Sequence, residues 1–262
     1  MPEEIKKVLV VALEGTCGGE VYDLACAGRL PNVERLLKSG AAVPKVAVDV
    51  TAAASWATLA TGAHAATHGV FADEPCRAQY IWQAAEKSSK RGLLLGFPAS
   101  AAPEHQEDHP ADLVNPESYD LAYFDRVASH LISNPDWDLA FVRVFTACGL
   151  SEADEFVGKV LDAADLETLR VLVAAAPNGE GNGLVVLDGP GVKCGYVVSR
   201  PAELSDVVPT LCYLAETPTP ADCEGGIIYQ ALEEPDAKIL ELQTYRRNYE
   251  RLRRSSGSTP MC

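Results

Sequence analysis

The chain is 262 residues long, 47% hydrophobic and 23% charged, a composition that suits a globular domain able to bury a sizeable core. Its formal net charge of −15 disfavours nonspecific binding to nucleic acid or to an anionic membrane surface. Eight cysteines (Cys17, Cys26, Cys76, Cys148, Cys194, Cys212, Cys223 and Cys262) show neither a CxxC pair nor zinc spacing, so they read as mostly reduced thiols.

Short apolar runs at Lys7–Leu13, Leu93–Phe97, Leu139–Phe145, Leu169–Ala175 and Leu184–Leu187 read as buried strands of a parallel sheet covered on both faces. No run approaches the ~20 residues needed to span a bilayer. The first strand is entered without a signal-peptide pattern, and the expectation is a cytoplasmic protein with no membrane and no nucleic-acid partner. Helical spacing follows at Pro31–Ser39, with Pro31 in the first turn and Gly40 as the stop, and at Ala78–Lys90, Tyr119–Ile132 and Ser151–Ala164. Strands alternating with helices predict a doubly wound α/β architecture. Ala99–Pro116, rich in Pro, Ala, His and acidic residues, reads as a surface loop.

Residues 236–254 carry six basic and three acidic side chains, which leaves the rest of the chain at −18. Leu242, Tyr245, Tyr249 and Leu252 repeat there at intervals of three and four, predicting an amphipathic helix. It reads either as a terminal helix packed on its own domain or as a homodimer or partner helix whose arginines meet an acidic surface. Residues 255–262 read as a disordered tail.

Several segments carry candidate chemistry. Glu14-Gly-Thr16-Cys17-Gly-Gly19 follows the first strand, at the strand end where ligands bind in parallel sheets. Its glycines admit close approach of an anion or simply make a turn. Cys17 has no histidine partner in sequence and reads as an inert thiol. Asp188-Gly-Pro-Gly191 reads as a turn. His105 and His109, beside Glu104, Glu107 and Asp108, read as solvated loop residues rather than a metal site.

A further set of segments resembles the alkaline phosphatase superfamily, within it the type I phosphodiesterase/nucleotide pyrophosphatase branch. Val8-Leu-Val-Val-Ala-Leu-Glu14-Gly15 is similar to the family's first strand. Leu30-Pro-Asn-Val-Glu-Arg-Leu-Leu-Lys-Ser-Gly40 is similar to the helix that follows. Trp56-Ala-Thr-Leu-Ala-Thr-Gly62 with His68-Gly-Val70 resembles the nucleophile helix and its exit. Ile81–Lys87 with Leu95–Pro98, then Asp188–Gly195 and Leu204–Leu214, continue the likeness in order.

The resemblance implies a two-metal site, usually zinc, and a Thr or Ser that attacks a phosphate or sulfate ester. The residues at the matching positions depart from that pattern. Glu14 stands where the family has an aspartate ligand, and Ala52 stands at the nucleophile position. Thr146–Glu152 lacks the Asp-x-x-x-His pair, and Pro177-Asn178-Gly179 replaces Asp-His-Gly. Glu180–Val192 contains no histidine, and none of the five histidines falls on a ligand position.

The expected architecture is a three-layer α/β/α domain over residues 1–235 with a doubly wound, mainly parallel sheet and little or no cap. The favoured function is a catalytically inactive homologue that binds a ligand or a partner and needs no cofactor or metal. Its vestigial site comprises Glu14, Thr51, Ser55 and Asn178, with ligand contacts at Glu14, Thr16, Cys17, Thr51 and Ser55. The alternative is a divergent phosphoric- or sulfuric-ester hydrolase working around Glu14, Thr51 and Cys17 with zinc or manganese. A third reading is a structural subunit that assembles through the Leu242–Leu252 seam.

Overall fold

A computed structural model describes residues 5–146, 149–165, 167–176 and 181–235. Asn178, the helix expected over 236–254 and the tail at 255–262 lie outside the described residues. One mixed sheet organises the chain. Its order is β3 (Gly92–Leu95), β4 (Leu139–Phe145), β1 (Lys7–Glu14), β5 (Thr168–Ala175), β6 (Gly183–Asp188) and β2 (Ala41–Ala47). The two-residue strands β7 (Tyr196–Val197) and β8 (Ala202–Glu203) both pair with β2. Only β6 runs antiparallel to its neighbours, so β1 to β5 all point their carboxyl ends the same way.

Alternation along each strand divides the core in two. Val8, Val10 and Ala12 of β1 face one layer, formed by α3 (Ala52–Thr61), α5 (Ile81–Glu86) and α9 (Val207–Leu214). Leu9, Val11 and Leu13 face the other, formed by α1 (Gly18–Cys26), α2 (Pro31–Ser39), α7 (Leu121–Ser133) and α8 (Leu150–Ala163). The two short helices are α4 (Ala65–His68) and α6 (Ala111–Val114). This is the expected α/β/α sandwich, and burial on both faces explains why its central strands read as unbroken apolar runs. Among the described residues no helix is long and apolar enough to cross a membrane.

The layers are tied by polar contacts as well as by apolar packing. Asp154 of α8 is 4% exposed and sits against the first turn of α2. Its carboxylate accepts from the backbone N–H groups of Asn32 (3.1 Å) and Val33 (2.8 Å) and from Asn32 Nδ2 (2.9 Å). Leu30, the residue before Pro31, provides no side-chain cap, so a side chain from another helix takes that role.

Several elements differ from the sequence reading. β2 was not anticipated because Pro44 interrupts it, and the pairing with β6 shifts register between Val43 and Val46 around that proline. α1 was not anticipated because it opens on two glycines. The helix expected over Ala78–Lys90 is confined to Ile81–Glu86, with Gln83 Oε1 accepting from Tyr80 N at 3.0 Å. The stretch 99–116 is not merely a surface loop. It contains a 3-10 turn at Gln106–Asp108 followed by α6, and Gln106 is 7% exposed. The Gln106 amide pairs with the open edge of β3, accepting from Leu94 N (2.9 Å) and donating to Leu94 O (2.8 Å). Gln106→Leu leaves both backbone groups unpaired, and the expected loss is about 2 kcal/mol in urea unfolding.

Candidate functional site

The carboxyl ends of β1 to β5 form the edge from which the segments carrying Glu14, Thr16, Cys17, Thr51 and Ser55 leave the sheet. Glu14 is the last residue of β1 and is 6% exposed. Its side chain lies on the α3 side of the sheet, where its Oε2 accepts from the Trp56 indole N–H at 3.2 Å. Ala12 and Arg143 are register partners on β1 and β4, so the Arg143 side chain also lies on this face, one step from Glu14. Arg143 Nε donates to the same Oε2, forming an ion pair.

The guanidinium makes further contacts. Its Nη1 donates to the Tyr119 hydroxyl at 3.1 Å, and that hydroxyl donates to Gly96 O at 3.0 Å. The rings of Tyr119 and Phe145 flank it, with their centroids 5.2 and 5.9 Å from Cζ. Burial works against the Arg143 charge, yet the hydrogen bond and attraction of Glu14, aided by Tyr119, hold its pKa above the ordinary arginine value. Burial also raises the Tyr119 phenol, an effect that neighbouring Arg143 moderates.

The other sequence candidates have different occupations. Thr51 is the N-cap of α3. Its Oγ1 accepts from Ala54 N at 3.1 Å and donates to Phe71 O at 2.8 Å. Ala52 is the first helical residue after it. Ser55 is 1% exposed, and its Oγ donates to Asp49 O at 3.5 Å. Neither hydroxyl bonds to Glu14. Thr16 is buried, and its Oγ1 has no partner among the described residues. Cys17 precedes α1, with its Sγ donating to Asn182 O at 3.5 Å.

The glycines of this loop serve packing. Gly15 turns the chain at φ +94°, a region that suits glycine. Gly18 lies so close to β6 that a Cβ there would sit 2.1 Å from Leu184 N.

Two polar clusters escaped the sequence reading. Asp49 Oδ2 accepts from Thr58 Oγ1 at 2.7 Å, and Thr58 Oγ1 lies 3.0 Å from His68 Nε2. Val70 N donates to His68 Nδ1 at 3.1 Å, which leaves Nε2 to carry the proton of the neutral ring. Burial lowers the pKa of His68, which is fully enclosed. His68 thus fastens the segment after α3 to its own helix. In the 99–116 stretch, His109 Nδ1 lies 3.0 Å from His130 Nε2, and burial lowers both imidazoles. His105 lies beside Asp108 at 3.4 Å. Asp188, in the turn-like Asp188–Gly191 segment, pairs with Arg170 at 2.7 Å across β5 and β6.

No three His, Cys, Asp or Glu side chains among the described residues gather as a metal cluster. A groove of about 530 Å³ lies between residues 198–206 and 224–230, with His64 on its wall, but neither Glu14 nor Arg143 lines it.

No family model and no curated protein matches the sequence. The fold does match solved structures. Murine ectonucleotide pyrophosphatase/phosphodiesterase 5 superimposes with a TM-score of 0.69 at 11% identity, covering 87% of this chain and 100% of that one. The phosphonate monoester hydrolase of Silicibacter pomeroyi gives 0.67 at 13%, covering 87% and 76%. A protein solved with its substrate, D-glucosamine-2-N,6-O-disulfate, gives 0.71 at 11%, covering 88% and 81%. The fold is that of the alkaline phosphatase superfamily.

Within this alkaline-phosphatase-like fold, α3 begins at Ala52 and the carboxylate that ends β1 is Glu14. Sequence reading had singled out both. It missed Arg143, although the signal was present, because Arg143 is the one charged residue in the otherwise apolar strand Leu139–Phe145.

Proposed function

We propose that this domain is a non-catalytic binding protein that recognises a phosphate- or sulfate-bearing ligand at the carboxyl edge of its sheet without cleaving it. The observation that carries the reading is the state of Glu14, whose Oε2 is already occupied by Arg143 and Trp56. A divalent cation placed on that carboxylate would meet the guanidinium at close range, and like charges repel strongly where water is scarce. The residues therefore do not fit the two-metal centre that the resemblance implies.

Nor do they fit the nucleophile. Ala52 has no oxygen to attack with, and the neighbouring Thr51 hydroxyl is engaged on both sides. Loss of a nucleophile is compatible with ligand binding. An inactive threonine-to-alanine variant of the murine structural neighbour was solved in complex with AMP. A ligand-binding role with no turnover matches that combination, and fold alone does not dictate catalysis.

The test is elemental analysis of the purified protein alongside turnover of a chromogenic phosphodiester with added zinc or manganese. The expected result is substoichiometric metal, no turnover above the blank, and AMP binding detectable by calorimetry in the presence of a chelator. Stoichiometric metal with turnover that disappears in Glu14→Ala would overturn the reading.

A further inference from the structure

We infer that Arg143 is a resident cation that takes the place of a metal ion on Glu14. The inference deepens the non-catalytic reading above and rests on it. Three observations carry it. Arg143 is the one charge in β4, and its side chain keeps only 21% exposure, against 8% for that of Glu14. Neither charge could remain at such burial without the other, because a lone buried ion costs far more than a pair. The guanidinium is also fixed in place by the Tyr119 hydroxyl and flanked by the rings of Tyr119 and Phe145, so it is built into the site.

Arginine suits this task. It stays charged at every physiological pH, and its planar fork bonds a carboxylate and a hydroxyl at once. A tethered cation needs no loading and cannot be removed by a chelator. The guanidinium is thus the cationic group that this site holds toward an oxyanion. Phosphate and sulfate groups share that chemistry, and binding would then be independent of metal.

The experiment is chemical rescue read by thermal unfolding. Arg143→Ala should lower Tm by about 6–12 °C, the consequence of leaving Glu14 uncompensated in a domain of this size. Millimolar guanidinium should restore part of that loss, and zinc or manganese should also raise the variant's Tm. The wild type should respond to none of these additives, nor to a chelator. The double variant Glu14→Gln with Arg143→Ala should lose the rescue.

Should Arg143→Ala fail to fold, the wild type's response to zinc or manganese still decides, and Arg143→Lys serves as the charge-retaining control. It keeps the charge, so its Tm should fall by less and show no metal response. Two results would overturn the inference. One is a wild-type Tm raised by zinc or manganese through Glu14. The other is an Arg143→Ala variant no more responsive than the double variant. Turnover is not the readout, so hydrolysis by a metal-blind wild type would sink the non-catalytic reading and leave the cation assignment standing.

Discussion

Glu14→Ala is expected to destabilise the protein by about 3 kcal/mol, measured as the shift in urea midpoint at constant m-value. The loss comes less from the missing contact than from the partner left behind. Arg143 would remain in place with its charge uncompensated, and the Trp56 indole N–H would lose its acceptor. The magnitude sits at the low end for broken buried pairs because Arg143 retains some access to water. Glu14→Gln keeps an acceptor oxygen and should lose less than Glu14→Ala. A change below about 1 kcal/mol for Glu14→Ala would place the pair with exposed salt bridges and remove the structural basis for a resident cation.

The second large effect lies in the helix layer on the other face of the sheet. Asp154→Ala should lose about 2–4 kcal/mol, because buried N–H groups at the start of α2 would have no acceptor and the helix would lose a favourable negative charge at its N-terminus. Asp154→Asn retains one carboxamide oxygen for Val33 N and should lose roughly half as much. The site at Glu14 should be undisturbed, so AMP titration of the folded Asp154→Asn variant should match the wild type. Equal unfolding curves for Asp154→Ala and the wild type would show that water replaces the carboxylate without loss.

The legibility of this chain divided along physical lines. Strands buried on both faces announce themselves because both faces must be apolar, so β1, β4, β5 and the antiparallel β6 were readable within a residue or two. β2 was not, since its proline sits at a register shift that only its partner strand reveals. α1 was hidden by opening glycines whose purpose is the close approach of Gly18 to the β6 backbone. At the site, the losses were legible: Ala52 and Glu14 could be aligned by motif. The replacement was not, because the bond between Glu14 and Arg143 spans 129 positions in sequence. What points to it locally is a single arginine in an apolar strand. Thr51, read as a vestigial-site and ligand-binding candidate, was identifiable as an N-cap only once Ala54 N was seen to point at it.

The lone antiparallel strand carries a consequence for synthesis. β2 leaves the ribosome early, yet both of its flanks are supplied much later: β6 pairs with it about 140 residues downstream, and β7 and β8 later still. Until Asp188 has emerged, β2 has no strand beside it, whereas β1, β3, β4 and β5 can already assemble. A nascent chain must therefore carry an apolar, hydrogen-bond-hungry segment through most of its elongation, the condition under which chaperones are recruited. A stop codon before β6 would strand that segment for good.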